Sequence, residues 1–140
     1  MDEQRRETIL LVDDEPQVAA LVKKMLLREG YVVLSSTDPE EALELARANE
    51  GGVDLLLTDL VMPQLNGWEL AGRVRAVRRG LRVLYMSGFM KEALLKYYDI
   101  SIAGVPFLQK PFRQQELARK VREVLDAPAA EAAGQGAQMR

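Results

Sequence analysis

The run Leu55-Leu56-Leu57-Thr58-Asp59 restricts the fold of this chain more than any other stretch. It is too short for a helix, and Pro63 and Gly67 close it within a few residues, so it reads as a strand. A strand with no polar alternation is buried on both faces, which requires a sheet covered by helices on each side. Asp59 then stands where that strand reaches the edge of the sheet. An Asp there has a plain use, capping the following turn. Three other strand ends carry polar residues of their own.

The rest of the chain repeats the alternation. Residues 8–12 form an apolar run that ends in Asp13-Asp14-Glu15, and Pro16 suits the first turn of a helix. Val18, Leu21, Val22, Met25 and Leu26 give that helix one apolar stripe, and Gly30 stops it. A second strand is expected over 31–35. Asp38, Pro39, Glu40 and Glu41 then open a helix that runs to about residue 48. After the central strand, a helix over 67–78 buries Leu70, Ala71, Val74 and Val77. A fourth strand over 82–86 closes on Ser87-Gly88. Residues 91–98 are helical by propensity with a poor apolar stripe, and 99–105 reads as loop. A fifth strand over 106–109 ends in Lys110-Pro111, and Leu117, Val121, Val124 and Leu125 mark a last helix over 114–125. Residues 1–7 read as a flexible lead-in, 8–125 as one domain and 126–140 as a low-complexity, disordered tail.

Strands alternating with helices give an α/β fold, with a parallel sheet joined by right-handed crossovers. Function in such sheets gathers outside the carboxyl ends of the strands. Asp13-Asp14, Asp59, Ser87-Gly88 and Lys110-Pro111 all fall there.

Composition narrows the chemistry. The chain has 140 residues, enough for one domain with a real core, and a formal net charge of −2, which argues against nucleic acid held by bulk charge. The arginines at 73, 75, 78 and 79 read as a solvated helix face. With no Cys and no His, disulfides, thiol catalysis, histidine acid–base chemistry and His-ligated zinc are excluded, while hard cations held by oxygen are not. No apolar run approaches a membrane span and the charged start lacks the core of a signal peptide, so the segment is expected to be cytoplasmic without membrane contact.

If Asp13, Asp14 and Asp59 converge, their carboxylates repel at about 1 to 4 kcal/mol per pair. A divalent ion with oxygen ligands compensates, and Mg²⁺ suits such a site. Lys110 adds a mobile positive charge, Ser87 a hydroxyl, and backbone N–H groups after Asp59 and Ser87 a cradle for phosphoryl oxygens. An Asp in that setting is equipped to attack phosphorus.

Val12-Asp13-Asp14-Glu15, Asp59-Leu60-Val61-Met62-Pro63-Gln64-Leu65-Asn66-Gly67, Met86-Ser87-Gly88 and Phe107-Leu108-Gln109-Lys110-Pro111-Phe112 together resemble a response-regulator receiver domain of two-component signalling. The resemblance implies a flavodoxin-like, doubly wound (βα)5 fold with strand order 2-1-3-4-5. It implies Asp59 as phosphoacceptor, with Asp14, Asp59 and the Val61 carbonyl as ligands of Mg²⁺ or Mn²⁺ and Asp13 acting through water. Ser87 and Lys110 would sense the phosphoryl group, Phe107 would be the switch aromatic, and the backbones of Leu60, Val61 and Gly88 would cradle phosphate. Val61 and Phe89 occupy positions that tune autodephosphorylation. A cis bond is expected at Lys110-Pro111. Phe107 departs from the frequent Tyr and must signal by packing alone. The implied partners are a histidine kinase or a histidine phosphotransfer protein, with weak homodimerisation.

The last strand and helix look most like receivers that end hybrid sensor kinases, the alternative being a stand-alone regulator. In the hybrid case a membrane sensor tethers the segment. A small Asp-nucleophile phosphatase is disfavoured, because such enzymes carry a second Asp two residues after the nucleophile and a cap domain. A flavodoxin-like nucleotide binder is disfavoured by acidic residues where a glycine-rich phosphate loop would sit.

Overall fold

The computed structural model describes residues 6–128 and 138–139. Its main sheet is built from β1 (Thr8–Val12), β2 (Val32–Ser36), β3 (Leu55–Asp59), β4 (Arg82–Ser87) and β6 (Phe107–Gln109). All pairings are parallel and the order is β2-β1-β3-β4-β6. The helices are α1 (Pro16–Arg28), α2 (Pro39–Ala48), α3 (Gly67–Val77), α4 (Lys91–Tyr98) and α5 (Gln114–Asp126).

The sheet is buried on both faces, as the leucine run requires. Leu10, Val12, Leu56, Val83 and Tyr85 pack on one side with residues of α2, α3 and α4. Ile9, Leu11, Leu55, Leu57, Leu84 and Met86 pack on the other with α1 and α5. The split follows the two-residue period of a strand. All five residues of β3 are buried, Asp59 included.

The local start signals work as read for α2, where the Asp38 side chain accepts from the Glu40 N–H and Pro39 sits in the first turn. In α3, Asn66 and Glu69 form a reciprocal capping box. Arg78, read as part of a solvated basic face, instead donates to the carbonyls of Ala46 and Asn49 and ties α3 to the end of α2.

Several expectations are corrected. Residues 99–105 contain a two-residue strand, β5 (Ile100–Ser101), outside the main sheet, so the fifth strand of the sheet is β6. Leu21 is 59% exposed and Val77 38% exposed. The buried face of α1 centres on Val22 and Leu26, which leaves Leu21 at its border; Val77 ends α3 one turn past the buried Val74. The second strand starts and ends one residue later than expected. In the region read as a disordered tail, Asp126 closes α5, and Gln138–Met139 forms β7, antiparallel to β5. The tail residues 129–137 and 140, and lead-in residues 1–5, lie outside the described residues.

Candidate functional site

The parallel topology brings the ends of β1, β3, β4 and β6 to one edge of the sheet. Asp13 and Asp14 follow β1, Asp59 ends β3, Ser87 ends β4 and Lys110 follows β6. One carboxylate oxygen from each of Asp13, Asp14 and Asp59 lies within 4.8 Å of the others. Such a spacing fits three groups arranged around one small cation, and the donors are all oxygen, as a hard ion demands. Asp14 is the most accessible of the three.

Asp13 is fully buried. Its Oδ1 accepts from the Glu15 N–H at 2.9 Å and its Oδ2 from Lys110 Nζ at 2.9 Å. Both of its oxygens are engaged by the protein. Lys110 Nζ also reaches Asp59 Oδ2 at 3.3 Å. Burial opposes the charge on Lys110, but its bonds and charge contacts with Asp13 and Asp59 outweigh that and hold its pKa above the ordinary value. Asp59 is pushed up to about 6, chiefly by burial, with Lys110 acting against the rise and Asp13 and Asp14 adding to it. A carboxyl group at about 6 is mostly ionised at neutral pH and more basic than an ordinary Asp.

Backbone bonds hold the strand ends in register beyond the ladders. The Leu60 N–H donates to the Met86 carbonyl at 3.0 Å and the Lys110 N–H to the Ser87 carbonyl at 2.8 Å. The first of these corrects the expectation that Leu60 cradles phosphate: its N–H extends the β3–β4 ladder and does not face the cavity. The cradle expected from sequence is thereby reduced to Val61 and Gly88. Ser87 is fully buried, and its Oγ accepts from the Phe89 N–H at 2.9 Å. The Lys110–Pro111 peptide is cis, as expected.

A cavity of about 660 Å³ opens over the carboxylates. Asp14, Asp59, Ser87 and Lys110 line it together with the apolar side chains of Val18, Leu21, Val61, Phe89 and Phe112. Phe89 is held at the rim by Tyr98 of α4, ring centroids 5.1 Å apart. Phe107 lies away from the cavity, half-buried against the cluster that contains Tyr85, Leu94 and Ile100.

Two supporting residues are not evident from the sequence. Thr58 Oγ1, inside the leucine run, donates to the Asp59 carbonyl at 2.9 Å in a fully buried position. Gly67 approaches that carbonyl so closely that no side chain fits. In the sequence Gly67 marks only the turn after the strand and the approximate start of the next helix.

The whole constellation agrees with what the chain resembles. Residues 9–122 match the response regulator receiver domain family. The chain is 33% identical over 119 residues to the sensor kinase CckA of Brucella abortus, covering 85% of this chain and 12% of that protein. It is 34% identical over 117 residues to the transcriptional regulatory protein CpxR of Klebsiella pneumoniae, covering 84% of this chain and 48% of that one. Among solved structures, the receiver domain of the hybrid histidine kinase CckA superposes with a TM-score of 0.70 at 34% identity, covering 85% and 99% of the two chains. The response regulator TrrA of Thermotoga maritima, solved with Mg²⁺ and BeF, superposes with a TM-score of 0.68 at 30% identity, covering 84% and 98%. The chain belongs to the response-regulator receiver family of two-component signalling. It spans about half or less of the curated relatives named here. Among the described residues, no helix is long and apolar enough to cross a membrane.

Asp14 and Glu15 separate the metal reading from simple surface charge. Asp14→Ala is expected to weaken Mg²⁺ binding at least tenfold in a calorimetric titration, whereas Glu15→Ala changes it less than twofold. Equal losses would remove Asp14 from the ligand set.

Proposed function

We propose that Asp59 is the phosphoacceptor of this receiver and takes a phosphoryl group from a phosphohistidine of a histidine kinase or phosphotransfer protein. The observation that carries the reading is the position of Asp59: buried, between Lys110 and two further carboxylates, and lining an open cavity. A carboxylate oxygen of Asp59 attacks phosphorus, the P–N bond to the donor imidazole breaks, and the imidazole leaves. Lys110 neutralises charge on the phosphoryl oxygens. The Val61 and Gly88 N–H groups and the Ser87 hydroxyl donate to them. Asp14, Asp59 and the Val61 carbonyl would hold Mg²⁺ or Mn²⁺, which supplies positive charge against the incoming group when bound. Asp13 keeps Lys110 oriented.

Once phosphorylated, the chain switches. Ser87 leaves its bond with the Phe89 N–H to reach the phosphoryl group, and Phe107 repacks behind it, relaying the change to α4 and β5. The receiver unit, residues 8–125, works as part of a cytoplasmic hybrid histidine kinase. Support for that origin is the likeness to the receiver of the hybrid kinase CckA.

The direct test is incubation with acetyl phosphate and Mg²⁺. One phosphoryl mass should be added to the parent and none to Asp59→Asn. A variant that still gains the mass would remove Asp59 from the role.

Lifetime follows from two apolar side chains. Hydrolysis of an acyl phosphate needs a water held in line with the P–O bond, and neither Val61 nor Phe89 orients water. The phosphorylated form is therefore expected to decay slowly. The double variant Val61→Asn, Phe89→Glu should lose phosphate roughly tenfold faster, about 1.4 kcal/mol of barrier. Decay at the parent rate would show that these side chains do not control the water.

A further inference from the structure

The ring of Phe89 lines the cavity over Asp59 and is 41% exposed, so the core does not fix its orientation. The backbone of Phe89 is held by Ser87, whose Oγ accepts from its N–H at 2.9 Å. Its ring meets that of Tyr98, with 5.1 Å between centroids and 57° between planes. That distance and tilt lie in the favourable range for an aromatic pair.

Tyr98 is the last residue of α4 and is itself held in place from the following turn. Asp99 caps the helix in the left-handed region at φ 57°, its N–H donates to the Leu95 carbonyl, and the buried Ile100 comes next. Tyr98 also borders a second, smaller cavity of about 260 Å³, together with Leu60, Val61, Glu69 and Ile100. Val61 lines both cavities. Tyr98 thus stands near both side chains that flank the approach to a phosphoryl group on Asp59, and it touches the exposed one of the two.

Water that cleaves an aspartyl phosphate must reach phosphorus in line with the bond to Asp59. The water oxygen bonds to phosphorus, the P–O bond to the carboxylate breaks, and inorganic phosphate leaves, with the water's protons shared between phosphate and solvent. An apolar ring kept at the cavity mouth hinders that approach, whereas an exposed ring released from its partner spreads over several rotamers. When Ser87 turns to the phosphoryl group it gives up the Phe89 N–H, which leaves the contact with Tyr98 as the hold on the ring. We propose that Tyr98 is a positioning residue for this site: it keeps the Phe89 ring at the cavity mouth and so lengthens the life of the phosphoryl group on Asp59. This rests on the reading of Asp59 as phosphoacceptor.

The full chain is phosphorylated with acetyl phosphate and Mg²⁺, freed of the donor, and its phosphoryl mass followed over time. Tyr98→Ala should lose the mass roughly threefold faster than the parent or more, while Tyr98→Phe, which keeps the ring contact, should decay at nearly the parent rate. Tyr98→Leu keeps apolar bulk at the helix end and lacks the ring, so it too should decay faster, and it carries the test even if Ala costs the fold. Tyr97→Ala is the control for α4 itself: its ring is more exposed and pairs with Lys96, and its loss should leave the rate unchanged. Phe89→Ala should speed the decay, and adding Tyr98→Ala should bring no further increase, because Tyr98 acts through that ring. Decay of Tyr98→Leu at the parent rate or slower, an equal acceleration in Tyr98→Phe or Tyr97→Ala, or independent effects of Phe89→Ala and Tyr98→Ala would each overturn the proposal. Parent protein that gains no phosphoryl mass would refute the phosphoacceptor reading together with this one, whereas parent and Tyr98 variants that gain the mass and lose it at one rate refute this one alone.

Discussion

Gly67→Ala is expected to destabilise the protein by about 3 kcal/mol, lowering the thermal midpoint by roughly 10 °C. A Cβ at position 67 would overlap the Asp59 carbonyl oxygen and stand 3.1 Å from both the Asp59 carbonyl carbon and Thr58 Cγ2. None of these atoms belongs to a flexible chain end. The carbonyl accepts from Thr58 Oγ1, and the Gly67 N–H donates to the Leu60 carbonyl at 2.8 Å, so the start of α3 is clamped to the end of β3. Relief requires the helix to withdraw or Asp59 to tilt, and the second outcome would also slow phosphorylation. Gly72 lies on the same helix with nothing within 4 Å of an added Cβ. Gly72→Ala should stabilise by roughly 0.5 to 1 kcal/mol through helix propensity. If thermal unfolding gives the two variants the same midpoint, the close approach at Gly67 is not a constraint.

Asp59→Asn is expected to stabilise the metal-free protein by up to about 3 kcal/mol at pH 7.5 and by almost nothing at pH 4. Asp59 titrates at about 6 in the fold, raised chiefly by burial, against roughly 3.9 for an unfolded Asp. Between those values the folded state binds more protons than the unfolded state. Stability is therefore present below about pH 4, lost as pH rises through the window to about 6, and absent above it. Asn carries no charge and escapes the loss, while Lys110 keeps its bond to Asp13. Mg²⁺ should narrow the gap by stabilising the parent through its carboxylates. Chemical denaturation at several pH values checks this, and a variant equally or less stable than the parent at pH 7.5 would contradict it.

Both effects concern energy held at the site, a quantity only partly visible in the sequence. The sheet was legible because Leu55-Leu56-Leu57 admits one reading, and the site was legible because each polar outcrop follows a strand. Parallel pairing then brings those outcrops together whatever the intervening helices do. What escaped depends on distances between elements far apart in the chain. No local pattern says that Gly67 touches the Asp59 carbonyl, that Leu60 spends its N–H on Met86, or that Arg78 caps α2. Ile100–Ser101 escaped because two residues carry no periodicity. Leu21 escaped because a helical stripe records angle and not the width of the surface that covers it.

The central claim is that Asp59 carries the phosphoryl group, and reductive trapping tests it most directly. Borohydride reduces an aspartyl phosphate to homoserine. After treatment with acetyl phosphate and Mg²⁺, reduction and digestion, peptide mass spectrometry should find homoserine at position 59 and aspartate at positions 13 and 14. Homoserine at 13 or 14, or an unmodified residue 59 in protein that has gained a phosphoryl mass, would contradict the account.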